Sequence, residues 1–486
     1  MKKILTTTFL ALSLCLSAQA KQNLEYLPTY EQWQDHTQSI MKFWLHADAK
    51  GVPEGNFPTW RCDDGTLRNQ KKCKNENGND IDWINGLTGY DFVRMQARQT
   101  FAYGALFNLT GDKEALRLHK AGVKFLLKNA MDKDGGFHSI LVKGKPLNIA
   151  KDGISDERLA RTTQDLSYAL VGLAMNAYLT HDPEVIRIIQ KTQKYIYDTY
   201  FDQKQNFMKW CLKDSEFNKS SQKELVALLD QLNAYMILTW RLLPENDKAT
   251  WGKEIRKTVR SINRNFYNRK YNRFFGCTDN DTCFDYSKGR HLDNGHSVKA
   301  FWMEYLAALG LDDDKLENFS KKGMKSVLRA ALKDDKSGWY EDLAKHDASW
   351  WVYAELDQAA LTLALTDDYV LSDTIRPWLF KYTDKTYGEL KHSGLKTHFW
   401  RNGFHSSEHA LIGTILSNAI RYNHCEDDKQ CKMKNRTKLY FAPVNTNDDS
   451  FTPYLYKGKI ADIYNNREIK EITFSKIKLP DEVLDD

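Results

Sequence analysis

Asp293-Asn294-Gly295-His296-Ser297-Val298-Lys299-Ala300 is the stretch from which the fold is most readily read. It sets a helix-capping residue, Asp293 or Asn294, just before an apolar pattern with helical spacing. Gly403-Phe404-His405-Ser406-Ser407-Glu408-His409 repeats this arrangement in a later helix. Histidine exchanges protons near neutral pH, so two helices that begin with histidine indicate paired acid–base groups facing one pocket.

Helical patterns of this kind extend through most of the chain. We predict twelve helices, near residues 30–48, 89–110, 113–130, 156–180, 183–199, 222–242, 247–266, 293–310, 313–332, 347–367, 369–381 and 403–422. The ten from 89 to 381 form five sequential pairs, and the first and last helices can form a sixth.

The connections between pairs recur in character, which is typical of a repeat architecture. They carry glycine or asparagine beside an aromatic residue, as in Gly135-Gly136-Phe137 and Gly338-Trp339-Tyr340. Six helical hairpins predict an all-α fold, an (α/α)6 barrel whose inner helices begin near 89, 156, 222, 293, 347 and 403. Their first turns share one face, where we expect the pocket.

Three segments are expected in the 486-residue chain. Residues 1–20 have the charged head, apolar core and small-residue end of a cleaved export signal. Residues 21–439 form the barrel, and 440–486 form a small β-rich extension packed on it. We predict strands at Tyr454-Leu455-Tyr456 and Glu471-Ile472-Thr473-Phe474, with a turn at Asn465-Asn466 between them.

Composition and charge argue against a nucleic acid or a membrane as the binding partner. The net charge is +6, and the charged residues are interspersed, which argues against a nucleic-acid footprint. After the leader no stretch is apolar for long enough to span a membrane. We therefore expect a soluble periplasmic or secreted protein, a monomer or homodimer, without a membrane or nucleic-acid partner.

Six cysteines fall into three short-range pairs. In an exported protein these predict local disulfides, because each pair brackets a polar loop and no C-x-x-C zinc spacing is present. The pairs are Cys62–Cys73, Cys277–Cys283 and Cys425–Cys431. Cys211 is left over and is expected to be a reduced, mostly buried thiol.

The predicted inner helices carry further candidates for chemistry. Arg94 and Arg98 share a face, and a buried arginine needs an anion, either a substrate oxyanion or an acidic residue of a neighbouring helix. Trp351 and Glu355 also share a face, where an aromatic ring suits a sugar ring and a carboxylate suits its hydroxyls. Trp400 can wall the same pocket.

Other candidates admit several roles. Asp165 and Asp230 lie in the first half of their helices and suit an ion pair, a pocket carboxylate or a glycosidase acid. His405, Glu408 and His409 read as H-x-x-E-H, the inverted zinc-peptidase motif. That interpretation lacks a third protein ligand and is set in an all-helical repeat, so we predict no metal.

In combination and order, these motifs resemble the N-acylglucosamine 2-epimerase superfamily, which includes cellobiose 2-epimerases and mannose or sulfoquinovose isomerases. The resemblance covers about residues 89–422. The motifs that carry it are Gln96-Ala97-Arg98, Gly295-His296, Trp350-Trp351 with Ala354-Glu355, and Phe404-His405.

The resemblance implies an (α/α)6 barrel and proton transfer at C1 and C2 of a reducing sugar without a metal or organic cofactor. His296 and His405 would be the general acid–base residues, and Arg98 would stabilise the enolate-like oxygen. Trp351 and Glu355 would line the sugar pocket. Histidines reaching C2 from opposite faces give epimerisation, whereas one histidine shuttling between C2 and C1 gives aldose–ketose isomerisation.

Three positions depart from the family pattern. Lys299 stands where the family often has glutamate, Asp230 where several members have histidine, and Glu408 where an arginine is usual. Lys299 could favour an acidic sugar, or it could pair with Glu408 or Asp230. With Trp351 and Glu355, the residues expected to bind substrate are Arg94, Asp165, Asp230, Lys299, Trp400, Glu408 and His409.

Two other functions use the same barrel. A glycoside hydrolase or polysaccharide lyase would employ Asp165, Asp230 or Glu355 as its acid, and hydrolysis needs two carboxylates at a defined separation. A non-catalytic carbohydrate-binding protein would bind sugar without proton exchange.

Overall fold

A computed structural model of the chain describes residues 22–68, 73, 87–147, 161–214, 220–276, 290–392, 394–480 and 482. The predicted leader at residues 1–20 and the Cys277–Cys283 pair lie outside these residues.

Six inner helices form a closed ring in which each packs against the next, and the sixth packs against the first. They are almost wholly buried, as expected for helices that are apolar on all sides. In chain order they comprise Val93–Thr110; Thr163–Ala169 with Val171–Thr180; Leu225–Gln231, the π-turn Leu232–Met236 and Ile237–Trp240; Asn294–Leu311; Trp350–Ala364; and Phe404–Asn423.

Outer helices pack around this ring and complete the six hairpins of an (α/α)6 barrel. Tyr30–Trp44 packs on the sixth inner helix, so the first and last helices pair as predicted. The others are amphipathic or short, namely Lys113–Phe125 with the π-turn Leu126–Ala130, Pro183–Tyr200, Glu245–Phe266, Asp314–Ala331, and Ile375–Pro377 with the π-turn Trp378–Tyr382.

Two predicted helix starts were wrong by six residues or more, at 156 and 369, and several other ends differ by three or four residues. The second inner helix begins at Thr163, because Thr162 and Asp165 form a capping box there. The helix predicted from residue 369 begins only at Ile375. Asp367 has a left-handed backbone with φ of 56°, which ends the preceding helical run.

A short antiparallel bridge follows five of the outer helices and repeats around the barrel. The bridged pairs are Met131 with Phe137, Phe201 with Met208, Tyr267 with Phe274, Leu332 with Trp339, and Thr383 with Leu390. The glycine–aromatic and asparagine–aromatic loops noted in the sequence lie at these turns. The small strands are Asp91–Phe92, Ile140–Val142, Lys145–Pro146, Phe201–Asp202, Phe207–Met208, Tyr267–Asn268 and Arg273–Phe274.

The C-terminal segment forms a three-stranded antiparallel sheet in the order Thr437–Phe441, Ile469–Lys478, Lys457–Asn466. The strand predicted at Glu471–Phe474 is confirmed within the middle strand. The strand predicted at Tyr454–Tyr456 was wrong, because Leu455 has φ of 60° and the chain turns there. The short helix Lys429–Lys434 precedes the sheet, and Leu24–Tyr26 and Ala47–Ala49 are single 3₁₀ turns.

Residues 451–456, which we call the strap, lie across the C-terminal ends of the inner helices. Tyr178 donates to the Thr452 carbonyl at 3.0 Å, and the Arg241 guanidinium donates to the Tyr456 carbonyl at 2.9 Å. Tyr454 extends into the barrel, where its hydroxyl donates to Glu408 at 3.0 Å. The strap closes this end, so a ligand enters from the end where the inner helices begin.

Two of the predicted disulfides, Cys62–Cys73 and Cys425–Cys431, are confirmed. Cys211 is a buried thiol, as expected. Within the described residues, no helix has both the length and the apolar character needed to cross a lipid bilayer.

The close approach of the first outer helix to the sixth inner helix generates a stability prediction. A Cβ at Gly413 would lie 2.2 Å from the Trp33 ring, which is fully buried and cannot move aside. Gly413→Ala should therefore destabilise the fold by about 1–3 kcal/mol through overpacking, although alanine is the better helix former.

Thermal unfolding followed by circular dichroism tests this, with Gly89→Ala as the matched control. Gly89 has no neighbouring atom within 4 Å of the added Cβ. Gly89→Ala should therefore leave the free energy of unfolding within about 0.5 kcal/mol of the wild-type value. Equal midpoints for the two variants would contradict the packing argument.

Candidate functional site

A pocket of about 300 Å³ opens where the inner helices begin. Its volume lies at the lower end of the range for small-ligand sites. Five of its side chains are large aromatic rings, and most of the others are charged or polar. The lining residues are Arg98, Gln164, Tyr168, Trp210, Glu224, Val226, Asp230, Arg290, His291, His296, Lys299, Trp350, Trp351, Trp400 and His405.

His296 is positioned by the residue that caps its own helix. One oxygen of Asp293 accepts from the His296 backbone amide at 2.7 Å, and the other lies 2.7 Å from the His296 ring Nδ1. Burial raises the pKa of Asp293, but His296, by its charge and hydrogen bonds, has the larger combined effect, so the pKa is lowered and the group is ionised. An ionised carboxylate only accepts, so Nδ1 carries the hydrogen and Nε2 of neutral His296 is a free base.

His405 lies across Trp351 from His296. The Trp351 ring is 4.5 Å from the His296 ring and 6.2 Å from the His405 ring, centroid to centroid. Burial, followed by the positive charges of Arg98 and Lys299, lowers the pKa of His405 well below its ordinary value. His405 is therefore a neutral imidazole at physiological pH.

The two arginines of the first inner helix have different environments. Arg94 donates to Asp165 at 2.8 Å and stacks on Trp400, so these two charges form a buried ion pair outside the pocket lining. Arg98 is 5% exposed, donates to the Trp400 carbonyl and lies over the Tyr168 ring. Its Nε has no hydrogen-bond partner among the described residues, and no carboxylate there pairs with it.

Lys299 forms the centre of a buried ion-pair cluster. Its Nζ lies 3.2 Å from Glu355 and 3.8 Å from Asp230, which come from the fifth and third inner helices. Burial alone lowers the pKa of Lys299, but these carboxylates, with Tyr168, outweigh it and the net shift is upward. Gln164 and Tyr168 also donate to Asp230, at 2.8 and 3.0 Å.

Glu408 and His409 face away from the pocket. Burial, followed by repulsion from Glu355, raises the pKa of Glu408 to about 8, so this group is mostly protonated at neutral pH. His409 is fully buried, with Nε2 2.9 Å from Asp357, and packs between Trp33 and Trp378. The structure therefore places His409 in the core, outside the pocket lining where we expected it. Its engagement by Asp357 also disagrees with the zinc-peptidase interpretation.

One set of described residues has the spacing of metal ligands. The ligand atoms of His291, Asp293 and His296 lie within 4.8 Å of one another. Asp293 already accepts hydrogen bonds from the backbone amide and the ring of His296. The His291 Nε2 lies 3.3 Å from a Glu224 oxygen. We therefore describe a hydrogen-bonded cluster and assign it no metal.

The structure brings most of the predicted site together. Arg98, His296, His405, Asp230, Lys299, Trp351 and Trp400 line the pocket. Glu355 lies behind Lys299, and Arg94, Asp165, Glu408 and His409 lie outside the lining. Sequence reasoning missed several lining residues, chiefly His291 and Glu224. Glu224 immediately precedes the third inner helix, and His291 lies three residues before the fourth, positions that could have marked them.

A family comparison agrees with this architecture. The sequence model of the family described as N-acylglucosamine 2-epimerase (GlcNAc 2-epimerase) matches residues 88–383. A comparison with curated protein sequences finds no significant match.

Solved structures share the fold at low sequence identity. A sugar epimerase from a ruminal bacterium is 17% identical with a TM-score of 0.61, covering 80% of this chain and 98% of its own. Cellobiose 2-epimerase from Bacillus thermoamylovorans is 12% identical with a TM-score of 0.59, covering 81% and 99%. A GH76 α-mannanase from Bacteroides thetaiotaomicron is 10% identical with a TM-score of 0.52, covering 82% and 98%.

The buried cluster around Lys299 generates a stability prediction. Lys299→Met leaves Asp230 and Glu355 buried without their cation, which should cost about 3–5 kcal/mol. Adding Glu355→Gln removes one of the two buried carboxylates that have lost their cation. The double variant should therefore be more stable than Lys299→Met alone.

Chemical denaturation of the wild type, both single variants and the double variant completes the cycle. The expected result is a coupling free energy of at least about 1 kcal/mol between the two sites. Strictly additive effects would mean that Lys299 and Glu355 do not interact in solution.

Proposed function

The chain belongs to the N-acylglucosamine 2-epimerase family, and we propose that it is a sugar 2-epimerase or aldose–ketose isomerase that acts by histidine-mediated proton transfer at C2 and C1 of a reducing sugar. Membership makes it a carbohydrate epimerase or isomerase. The observation that carries the mechanism is the convergence of His296, His405 and Arg98 on one aromatic pocket.

His296 has the properties of the base that removes the proton from C2. Its Nδ1 is held by Asp293, which leaves the Nε2 lone pair for the substrate. Burial lowers the pKa of His296, and Asp293 offsets this only in part, so the ring is neutral at pH 7. A neutral imidazole held in a fixed orientation suits removal of the weakly acidic proton beside a carbonyl.

Arg98 supplies the charge that the intermediate needs. Removing a proton from C2 places negative charge on the carbonyl oxygen, and a fixed cation in a buried site stabilises it strongly. Arg98 has no carboxylate partner in the described part of the chain, so the enediolate oxygen would be its counter-ion. Lys299 is already neutralised by Glu355 and Asp230, which favours a neutral sugar over an acidic one.

The arrangement of carboxylates weighs against glycoside hydrolysis. Asp165 is paired with Arg94, and Asp230 and Glu355 flank Lys299. A general acid must lie within reach of the glycosidic oxygen, whereas Asp165 and Glu355 lie outside the pocket lining. Asp230 lines the pocket but is engaged by Gln164, Tyr168 and Lys299. The aromatic walls suit the apolar face of a sugar ring and fit the isomerase proposal equally well.

We propose an exported location for this enzyme. The two disulfides support a compartment outside the cytosol. We further propose that residues 1–20 are removed, that residues 21–439 form the catalytic barrel, and that 440–486 form its β-rich extension. A periplasmic or secreted enzyme would meet reducing sugars released outside the cytoplasm.

Proton exchange in D₂O tests the proposed reaction. The wild type should replace the C2 proton of at least one neutral reducing sugar by deuterium, with proton NMR as the measurement. His296→Ala and His405→Ala should each lower this rate by about 10²–10⁴-fold, as expected for removal of a general acid–base group.

His346→Ala is the matched control, because His346 is an exposed histidine outside the pocket lining. It should retain the wild-type rate. Release of reducing ends from an oligosaccharide without C2 exchange would replace our proposal by hydrolysis.

Asp293→Asn tests the role of the capping carboxylate. Asp293 stabilises the protonated ring, so its loss lowers the pKa of His296 further and moves the acidic limb of kcat/KM to lower pH. It also frees the ring to adopt the wrong tautomer, so kcat should fall by about 10²–10⁴-fold. An unchanged pH profile measured by progress-curve NMR would show that Asp293 serves only as a helix cap.

A further inference from the structure

A third histidine of the pocket, His291, is held by a buried carboxylate. Its Nε2 lies 3.3 Å from Glu224, and its ring centroid is 4.4 Å from that of His296. Glu224 is 2% exposed and also accepts from Gln222 at 2.6 Å and from Arg290 at 3.1 Å. With Nε2 engaged by Glu224, Nδ1 is the His291 nitrogen left for a substrate.

The backbone of His291 adopts an energetically unfavourable conformation in the pocket lining. Its φ is 53°, a left-handed conformation that is unfavourable for a residue with a side chain. Two hydrogen bonds between Arg290 and Gly276, at 2.7 and 2.9 Å, hold the chain in place. A Cβ at Gly276 would lie 2.4 Å from the His291 ring, so glycine leaves the ring its space.

The two neighbouring histidines have opposite protonation tendencies. Burial lowers the pKa of His291, but the hydrogen bond and charge of Glu224, with Asp293 and Asp230, outweigh it and raise the pKa. The pKa of His296 is lowered. Titratable groups whose environments push their pKa values apart form an acid and a base.

The proposed reaction needs such an acid at a step before C2 is deprotonated. Reducing sugars are mostly cyclic, and the C2 proton becomes acidic only when C1 is a free carbonyl. Ring opening removes the O1 proton, forms the C1–O1 double bond and breaks C1–O5. Oxygen O5 must then take up a proton.

We propose that His291, held by Glu224, is a catalytic acid that donates the proton to O5 as the sugar ring opens. This inference rests on the proposed function. His405 takes the O1 proton and His291 protonates O5. His296 then takes the C2 proton, and His405 returns its proton to C2 on the opposite face. When the ring closes, O5 returns its proton to His291 and O1 takes the proton of His296.

This sequence restores every histidine to its starting state. His291 begins protonated, and His296 and His405 begin neutral. No external acid or base is consumed in one epimerisation. With His296 and His405 alone, O5 would have no proton donor among the groups assigned to the reaction.

Comparing a ring-forming sugar with an acyclic one tests the assignment. Glyceraldehyde has too few carbons to close a furanose or pyranose ring, so its C2 exchange needs no acid at O5. His291→Gln should lower C2 exchange in D₂O by about 100-fold with the most active sugar of the panel. With glyceraldehyde it should retain the wild-type rate to within about threefold. His346→Gln, another carboxylate-paired histidine, is the matched control and should alter neither rate.

Catalysed interconversion of sugar anomers measures ring opening directly. His296→Ala should lose C2 exchange but retain this activity, and the double variant His291→Gln/His296→Ala should lose both. Glu224→Gln removes the charge that raises the pKa of His291, so the alkaline limb of activity on the ring-forming sugar should move to lower pH.

Three results would overturn the assignment. Equal losses on both substrates would make His291 a general pocket residue, and unchanged anomer interconversion in the double variant would exclude it as the ring-opening acid. Loss of wild-type activity after dialysis against EDTA would assign the His291, Asp293 and His296 cluster to a metal ion instead. Absence of any C2 exchange by the wild type would refute the proposed function itself.

Discussion

One buried ammonium group, that of Lys299, constrains the interior of the barrel. A charge at 3% exposure is unfavourable unless partners surround it, and here the partners come from two other helices of the ring. The third, fourth and fifth inner helices must therefore keep a common register in their first two turns. Those same turns carry Asp230, His296 and Trp351 into the pocket.

The same cluster explains the departures from the family pattern as an exchange of charge. Where the family often has glutamate on the fourth inner helix, this chain has lysine, and where several members have histidine on the third, it has Asp230. The Lys299 ammonium and the Asp230 carboxylate lie 3.8 Å apart. The basic residue of the pair is therefore on the fourth inner helix and the acidic residue on the third, the reverse of the family pattern. Glu408 adds little negative charge to this interior because it is mostly protonated. Arg98 lines the pocket and has no carboxylate in hydrogen-bonding contact among the described residues.

Local patterns allowed much of this to be predicted. Helical spacing and capping residues indicate the six hairpins, and the short motifs identify His296, His405 and Arg98. Long-range pairing is invisible to such patterns, so Asp165 could not be recognised as the partner of Arg94, nor His409 as a core residue bound to Asp357. His291 was missed because it lies in a connecting loop rather than on a helix face. The run Tyr454-Leu455-Tyr456 has the composition of a strand, but the left-handed backbone of Leu455 makes it a turn.

The strap has a consequence for the order in which the molecule folds. Its tyrosines form the floor of the barrel, so the ring of helices is closed at this end only when residues 451–456 have packed against it. Until then Glu408 lacks its hydrogen-bond donor Tyr454. Docking of a segment that follows all the barrel helices in sequence therefore completes the buried environment of Glu408.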